Sequence, residues 1–303
     1  MKIGIRIDNF VPGTEFRVAS SYAEIREMAQ VAEREGLDSI WLSDHLLFRF
    51  DPDVTMGPWE CWTLLSALAE TTNNIELGTM VLCNPFRNPA LLAKMAHTLD
   101  EISGGRLILG VGAGWHQPEF DAFGYPFDRR VDRFEEALQI LRPLLKGQSV
   151  DFAGTHYQVQ NCVITPLGPR PDGIPLLIGA SSPRMLRLTA RYADKWNTAW
   201  LGDPQELTEP LEQLRDACNE VGRDQATLDV TVNVSLAFPD LGDTTTNPFG
   251  ENPLSGTVES LAQAFQRYSE AGAGHLIVQT TPASLPALER LVEVIRLYRN
   301  TAR

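Results

Sequence analysis

A strand-then-helix alternation that hardly pauses runs from Lys2 to Tyr298 and limits this chain's possible folds more than any other feature. Lys2–Ile7 alternates and is rich in β-branched residues. Ser21-Tyr22-Ala23-Glu24 is a capping box, followed by Ile25, Met28, Ala29 and Ala32 at helical spacing, and Gly36 stops that helix. Ser39–Leu42, Ile75–Leu82 and Leu107–Val111 read as the next three strands. Helices separate them, one cored on Trp62–Thr71 and one opened by Asn88-Pro89 with Leu92, Met95, Leu99 and Ile102 on one face. A helix over Val131–Lys146 leads to a small hairpin at Phe152–Tyr157 and a fifth strand at Pro175–Ile178. The remaining strands are Trp196–Ala199, Leu228–Ala237 and His275–Gln279. Helices at Pro183–Ala193, after Asp203-Pro204-Gln205-Glu206, at Thr257–Ala271 and at Leu285–Tyr298 complete the alternation.

Eight strands, each followed by at least one helix, predict parallel crossovers and an α/β fold of the (β/α)8, or TIM barrel, type. An open, doubly wound sheet is the competing architecture, but its G-x-G-x-x-G turn is missing after Ile7. No composition break marks a linker, so residues 1–303 read as one domain. The long stretch Pro239–Ser255, rich in Asp, Thr, Asn, Pro and Gly, reads equally as a lid over the barrel mouth or as a tolerated surface insertion.

Composition then excludes several partners. A net charge of −13 has the wrong sign for gripping phosphate backbones, so no nucleic-acid partner is expected. No apolar run approaches the ~20 residues needed to cross a bilayer, and charges interrupt the first residues where a secretory signal would lie. The cysteines Cys61, Cys83, Cys162 and Cys218 are scattered, which argues against a zinc site or a disulfide framework. A cytoplasmic protein acting on a small molecule is the expectation.

In an eightfold barrel, chemistry sits at the carboxyl ends of the strands. Strand two ends in Ser43-Asp44-His45, pairing a titratable imidazole with a carboxylate suited to proton transfer near neutrality. An Asp helix cap beside a pocket-wall His is the equally weighted alternative. Of the other histidines, His97 is mid-helix, His156 is in the hairpin and His275 starts a strand. His116 follows a tryptophan in a loop and reads as solvated. Strand four ends in Gly112-Ala113-Gly114-Trp115, and the glycines of Gly110-Val111-Gly112-Ala113-Gly114 suit close backbone approach to a flat ligand. Gly179-Ala180-Ser181-Ser182-Pro183 ends strand five. Its small residues, hydroxyls and first-turn proline expose N–H donors, an anion site unless they only cap the helix. The H-x-H, G-x-S-x-G and H-E-x-x-H motifs and paired glycosidase carboxylates are not evident.

Several of these segments together resemble the bacterial luciferase-like monooxygenase family. They are Trp41–His45, Gly78–Leu82, Asn88–Ala90, Gly104–Trp115, Pro175–Ala180 and Tyr192–Asn197, in order along nearly the whole chain. The resemblance implies a (β/α)8 barrel and, by family habit, a homodimer. It also implies one of two cofactors: coenzyme F420 with hydride transfer, or FMN with oxygen. The S-D-H tip resembles the coenzyme F420 branch. There Asp44 would touch the deazaflavin, and His45 would act as acid/base near the reacting carbon. Met80 and Val81 would form a cis-peptide bulge behind the ring. Gly112 to Trp115 would lie along the ribityl chain, and Gly179 to Ser182 would receive the phosphate. Cys83 stands where relatives often place a Thr hydroxyl. Arg49 and Trp115 replace the Trp and Glu of the sugar-phosphate dehydrogenase members, which argues against glucose-6-phosphate as substrate. A non-catalytic flavin-binding barrel is the remaining alternative.

Overall fold

Strand β1 (Lys2–Arg6) pairs in parallel with β2 (Ser39–Leu42), and each later barrel strand adds to the last in the same sense. β3 (Glu76–Thr79), β4 (Leu107–Gly112), β5 (Leu176–Gly179), β6 (Lys195–Ala199) and β7 (Asp229–Ala237) follow. β8 (His275–Thr281) pairs with both β7 and β1, so the sheet closes on itself. The computed structural model describes residues 1–7, 20–51, 54–242 and 253–301. Residues 243–252 of the expected lid or insertion lie outside that description.

Helices α1 (Tyr22–Arg34), α2 (Cys61–Thr71), α3 (Pro89–Ile102), α4 (Gln117–Phe123) and α5 (Arg130–Leu145) cover the first half. α6 (Pro183–Tyr192), α7 (Thr208–Val221), α8 (Val258–Glu270) and α9 (Leu285–Thr301) cover the second. Their caps are those expected: Ser21 forms a full capping box with Glu24, and Asn88 accepts from the N–H groups of Ala90 and Leu91. Among the described residues, no helix is long and apolar enough to cross a membrane.

Alternation sorts each strand into two faces. Ile3, Ile5, Ile40, Leu77, Leu109, Val232 and Val234 pack outward into one continuous core with the helices. Trp41, Ile108, Leu177 and Ile277 point the other way and form a separate apolar plug inside the barrel, with Met80 and Val81 packed against it.

The structure departs from the sequence reading in four places. The expected strand Ile75–Leu82 is broken: β3 ends at Thr79, the Met80–Val81 peptide is cis, and Leu82–Cys83 pairs with Val111–Gly112. An antiparallel hairpin, Phe48–Asp51 with Val54–Met56, follows β2 in a segment where the sequence reading named no element. Helix α4 occupies the segment after Trp115-His116. His116, read as solvated, is buried, because that hairpin folds over it and the Arg49 N–H donates to its Nε2 at 3.0 Å. Burial, then the nearby His45, lowers its pKa despite Glu119. The one hairpin expected from the sequence, at Phe152–Tyr157, is present and longer, as Val150–Ala153 with Gln158–Cys162.

Below the plug, the Trp41 Nε1–H donates to Ser39 Oγ and the Ser39 hydroxyl meets His275 Nε2, each at 2.7 Å. Burial, helped by Lys195, Lys2 and the amino terminus, pushes the His275 pKa down to about 3 from 6.5. Between those values the unfolded chain holds a proton that the folded chain excludes. Stability therefore falls as pH drops, by up to ~1.4 kcal/mol per pH unit from this group. Urea denaturation at pH 7 and pH 5 should show a shallower acid loss in H275Q than in the wild type. Equal losses would remove His275 from the acid response.

Candidate active site

The strand tips enclose a cavity of about 440 Å³. The catalytic and cofactor-binding candidates of the sequence all line it: Asp44 and His45 after β2, then Met80, Val81 and Cys83 after β3. Gly112, Ala113, Gly114 and Trp115 line it from the end of β4, and Gly179, Ala180, Ser181 and Ser182 from the end of β5. The other half of the ring adds residues that sequence reasoning missed: Arg6 from β1, Asn197 from β6 and Asn233 from β7.

His45 does not stand alone. Its Nδ1 lies 3.1 Å from Oε1 of Glu119, whose side chain is 1% exposed. Glu119 sits in the first turn of α4, and its Oε2 also accepts the Leu46 N–H at 2.9 Å. A carboxylate oxygen only accepts, so Nδ1 carries the hydrogen and Nε2 is the nitrogen left for other partners. The ring is wedged between Phe48, with centroids 4.3 Å apart, and Trp115 at 5.6 Å. Position, tautomer and tilt of the imidazole are thus fixed by the protein.

Asp44 is held still more firmly. Arg87 grips it in a fork, Nη1 to Oδ2 at 2.6 Å and Nη2 to Oδ1 at 2.9 Å, and the Cys83 N–H donates to Oδ2 at 2.8 Å. The same Arg87 reaches Glu60, the N-cap of α2, at 2.5 Å. Burial works against the Arg87 charge, but the bonds to Asp44 override it and hold its pKa above the ordinary value. The Asp44 carboxylate, completely buried as a side chain, ties β2 to the segment after β3 and to α2.

Glycines shape the floor. A Cβ on Gly112 would lie 2.7 Å from Val81 Cγ2, and one on Gly114 would lie 2.6 Å from Cys83 Sγ. Gly114 also has φ +79°, where side chains are strained. At the end of β5, Ser182 caps α6 without a side-chain bond and Pro183 follows, so the Ser182 hydroxyl leaves the first-turn N–H groups open. Arg130 also lines the cavity, and its Nε donates to the Gly114 carbonyl at 3.1 Å. Helix start and guanidinium together make a site for an anion.

The chain matches the luciferase-like monooxygenase family over residues 1–243. It belongs to that family. It is 35% identical over 183 residues to the 5,10-methylenetetrahydromethanopterin reductase of Archaeoglobus fulgidus, which takes in 60% of this chain and 51% of that protein. It is 33% identical over 228 residues to the F420-dependent glucose-6-phosphate dehydrogenase of Microbacterium testaceum, covering 71% of this chain and 64% of that one. The luciferase-like chain thus spans about half to two thirds of the length of these curated relatives. Among solved structures, an F420-dependent secondary alcohol dehydrogenase in complex with an F420-acetone adduct superimposes with a TM-score of 0.80 over 98% of both chains. At 20% identity that likeness speaks to the barrel alone.

Proposed function

We propose that this luciferase-like barrel is a coenzyme F420-dependent oxidoreductase acting on a small organic substrate. One observation carries the reading: an imidazole oriented by a buried carboxylate and an anion site of open N–H groups face the same glycine-floored cavity. The F420 dependence of the Microbacterium testaceum relative supports the choice of cofactor, as does the Ser43-Asp44-His45 tip.

The residues fit such a group. Ser181, Ser182 and Arg130 would hold the phosphate, Gly112–Trp115 would run beside the chain that follows it, and Val81 would back the ring. When bound, a deazaflavin supplies a carbon that gives or accepts hydride. His45 Nε2 takes the proton from the substrate in one direction and returns it in the other, while Glu119 keeps Nδ1–H pointed away. Asp44, with both oxygens engaged, contributes a fixed polar contact and the rigidity of the wall.

Titrating the purified protein with coenzyme F420 and with FMN, followed by fluorescence, tests this. At least tenfold tighter binding of coenzyme F420 is expected. Tighter binding of FMN, with oxygen consumed when reduced FMN is supplied, would replace the reading with a monooxygenase.

A further inference from the structure

Barrel interiors of this type are mostly filled by branched apolar side chains. Here β2, β4 and β5 supply such filling with Trp41, Ile108 and Leu177. β7 does the opposite. Its outward residues Val232, Val234 and Leu236 are apolar, and its inward residues Thr231, Asn233 and Ser235 are all polar and buried.

The protein itself satisfies the lowest of these. Asn197 Nδ2 donates to Thr231 Oγ1 at 3.0 Å, and the Thr231 hydroxyl donates to the Trp196 carbonyl at 2.9 Å. Asn233, one layer higher, differs. It is 1% exposed and lines the cavity, yet among the described residues neither its Nδ2 nor its Oδ1 has a hydrogen-bond partner. Buried amides are almost always paired, and leaving both atoms unmet costs more than an apolar side chain of the same size would. Asn233 lies level with Ile277 of β8, a member of the plug against which Met80 and Val81 pack. The open amide therefore borders the cavity floor.

A carboxamide with both atoms open presents a donor and an acceptor side by side. Its complement is an acceptor beside a donor, as on the cis-amide edge of a lactam, an imide or a pyrimidinedione. A carboxylate or phosphate offers acceptors only and would set one against Oδ1, and a hydrocarbon would leave both atoms unmet. Because both atoms are open, the argument is the same whichever way the amide is turned. We infer that Asn233 recognises the cis-amide edge of a ring bound at the cavity floor. That edge has two possible sources: the redox cofactor's own ring, which rests on the function proposed above, or a heterocyclic substrate beside it.

The test compares wild type with N233L, which removes both groups, and N233D, which keeps the shape and replaces the donor. N233L without ligand should be at least as stable as wild type, since it removes an unmet buried amide. If the cofactor ring is the source, both variants bind coenzyme F420 at least tenfold more weakly. If a substrate is the source, coenzyme F420 binding is unchanged, and 6-methylpterin, the lactam probe, binds the loaded wild type but not the loaded variants. Unchanged behaviour of both probes overturns the inference and leaves the amide to bound water. A wild type that prefers FMN would sink the cofactor proposal but not this one, because FMN carries the same edge and the same comparison is made with it.

Discussion

R87A should lose about 3–5 kcal/mol of folding stability, the usual cost of leaving one member of a buried ion pair without its partner. Asp44 has no exposed side-chain surface, and Arg87 is only 11% exposed, so solvent screens little of the loss. The fork supplies two of the three bonds named for the Asp44 oxygens, leaving the Cys83 N–H. Urea denaturation at pH 7 measures the effect. The double variant D44N/R87A should recover a good part of it, because removing the stranded charge removes most of the penalty. A loss below about 1 kcal/mol in R87A, or a double variant no better than the single, would show that the fork does little for the wall. The same prediction separates two readings of Asp44: if it anchors β2 to α2, damage to the fork shows in stability before it shows in chemistry.

That fork also marks where sequence reading stops. The eight strands were legible because apolar alternation and helical spacing are local signals, as were caps such as Ser21 and Asn88. Family segments placed Asp44, His45 and the glycine-rich tips around one mouth. Arg87 and Glu119 were not legible, since their partners lie 43 and 74 residues away and no local pattern couples them. The break after Thr79 hides in periodicity because Met80, Val81 and Leu82 continue an apolar run; only the resemblance pointed to it. His116 was misjudged because its cover, the hairpin at Phe48–Met56, has strands too short to read, and Phe50 packs on its ring with centroids 5.2 Å apart. Motif membership also blurred role. Arg106, in the Gly104–Trp115 segment, donates to the carbonyls of Ala69, Thr72 and Ile75 and so fastens the end of α2 rather than any ligand.

His45 carries the largest expected functional effect. H45A should lower turnover by about two to four orders of magnitude, the usual contribution of a positioned acid/base, while coenzyme F420 affinity stays within a few-fold. The assay is the return of coenzyme F420 absorbance as the reduced form is reoxidised by any carbonyl or imine acceptor that the wild type uses. E119Q should fall between wild type and H45A, on the order of tenfold or more, because it weakens the hold on tautomer and tilt without removing the imidazole. The two losses should not add: with the imidazole gone, the orienting carboxylate has nothing to orient, so H45A/E119Q should be no slower than H45A. Full additivity would mean that Glu119 acts on the ligand directly and not through His45. Turnover unchanged in H45A would move the proton to another group on the cavity wall and leave the ring's hydride chemistry without the partner assigned to it here.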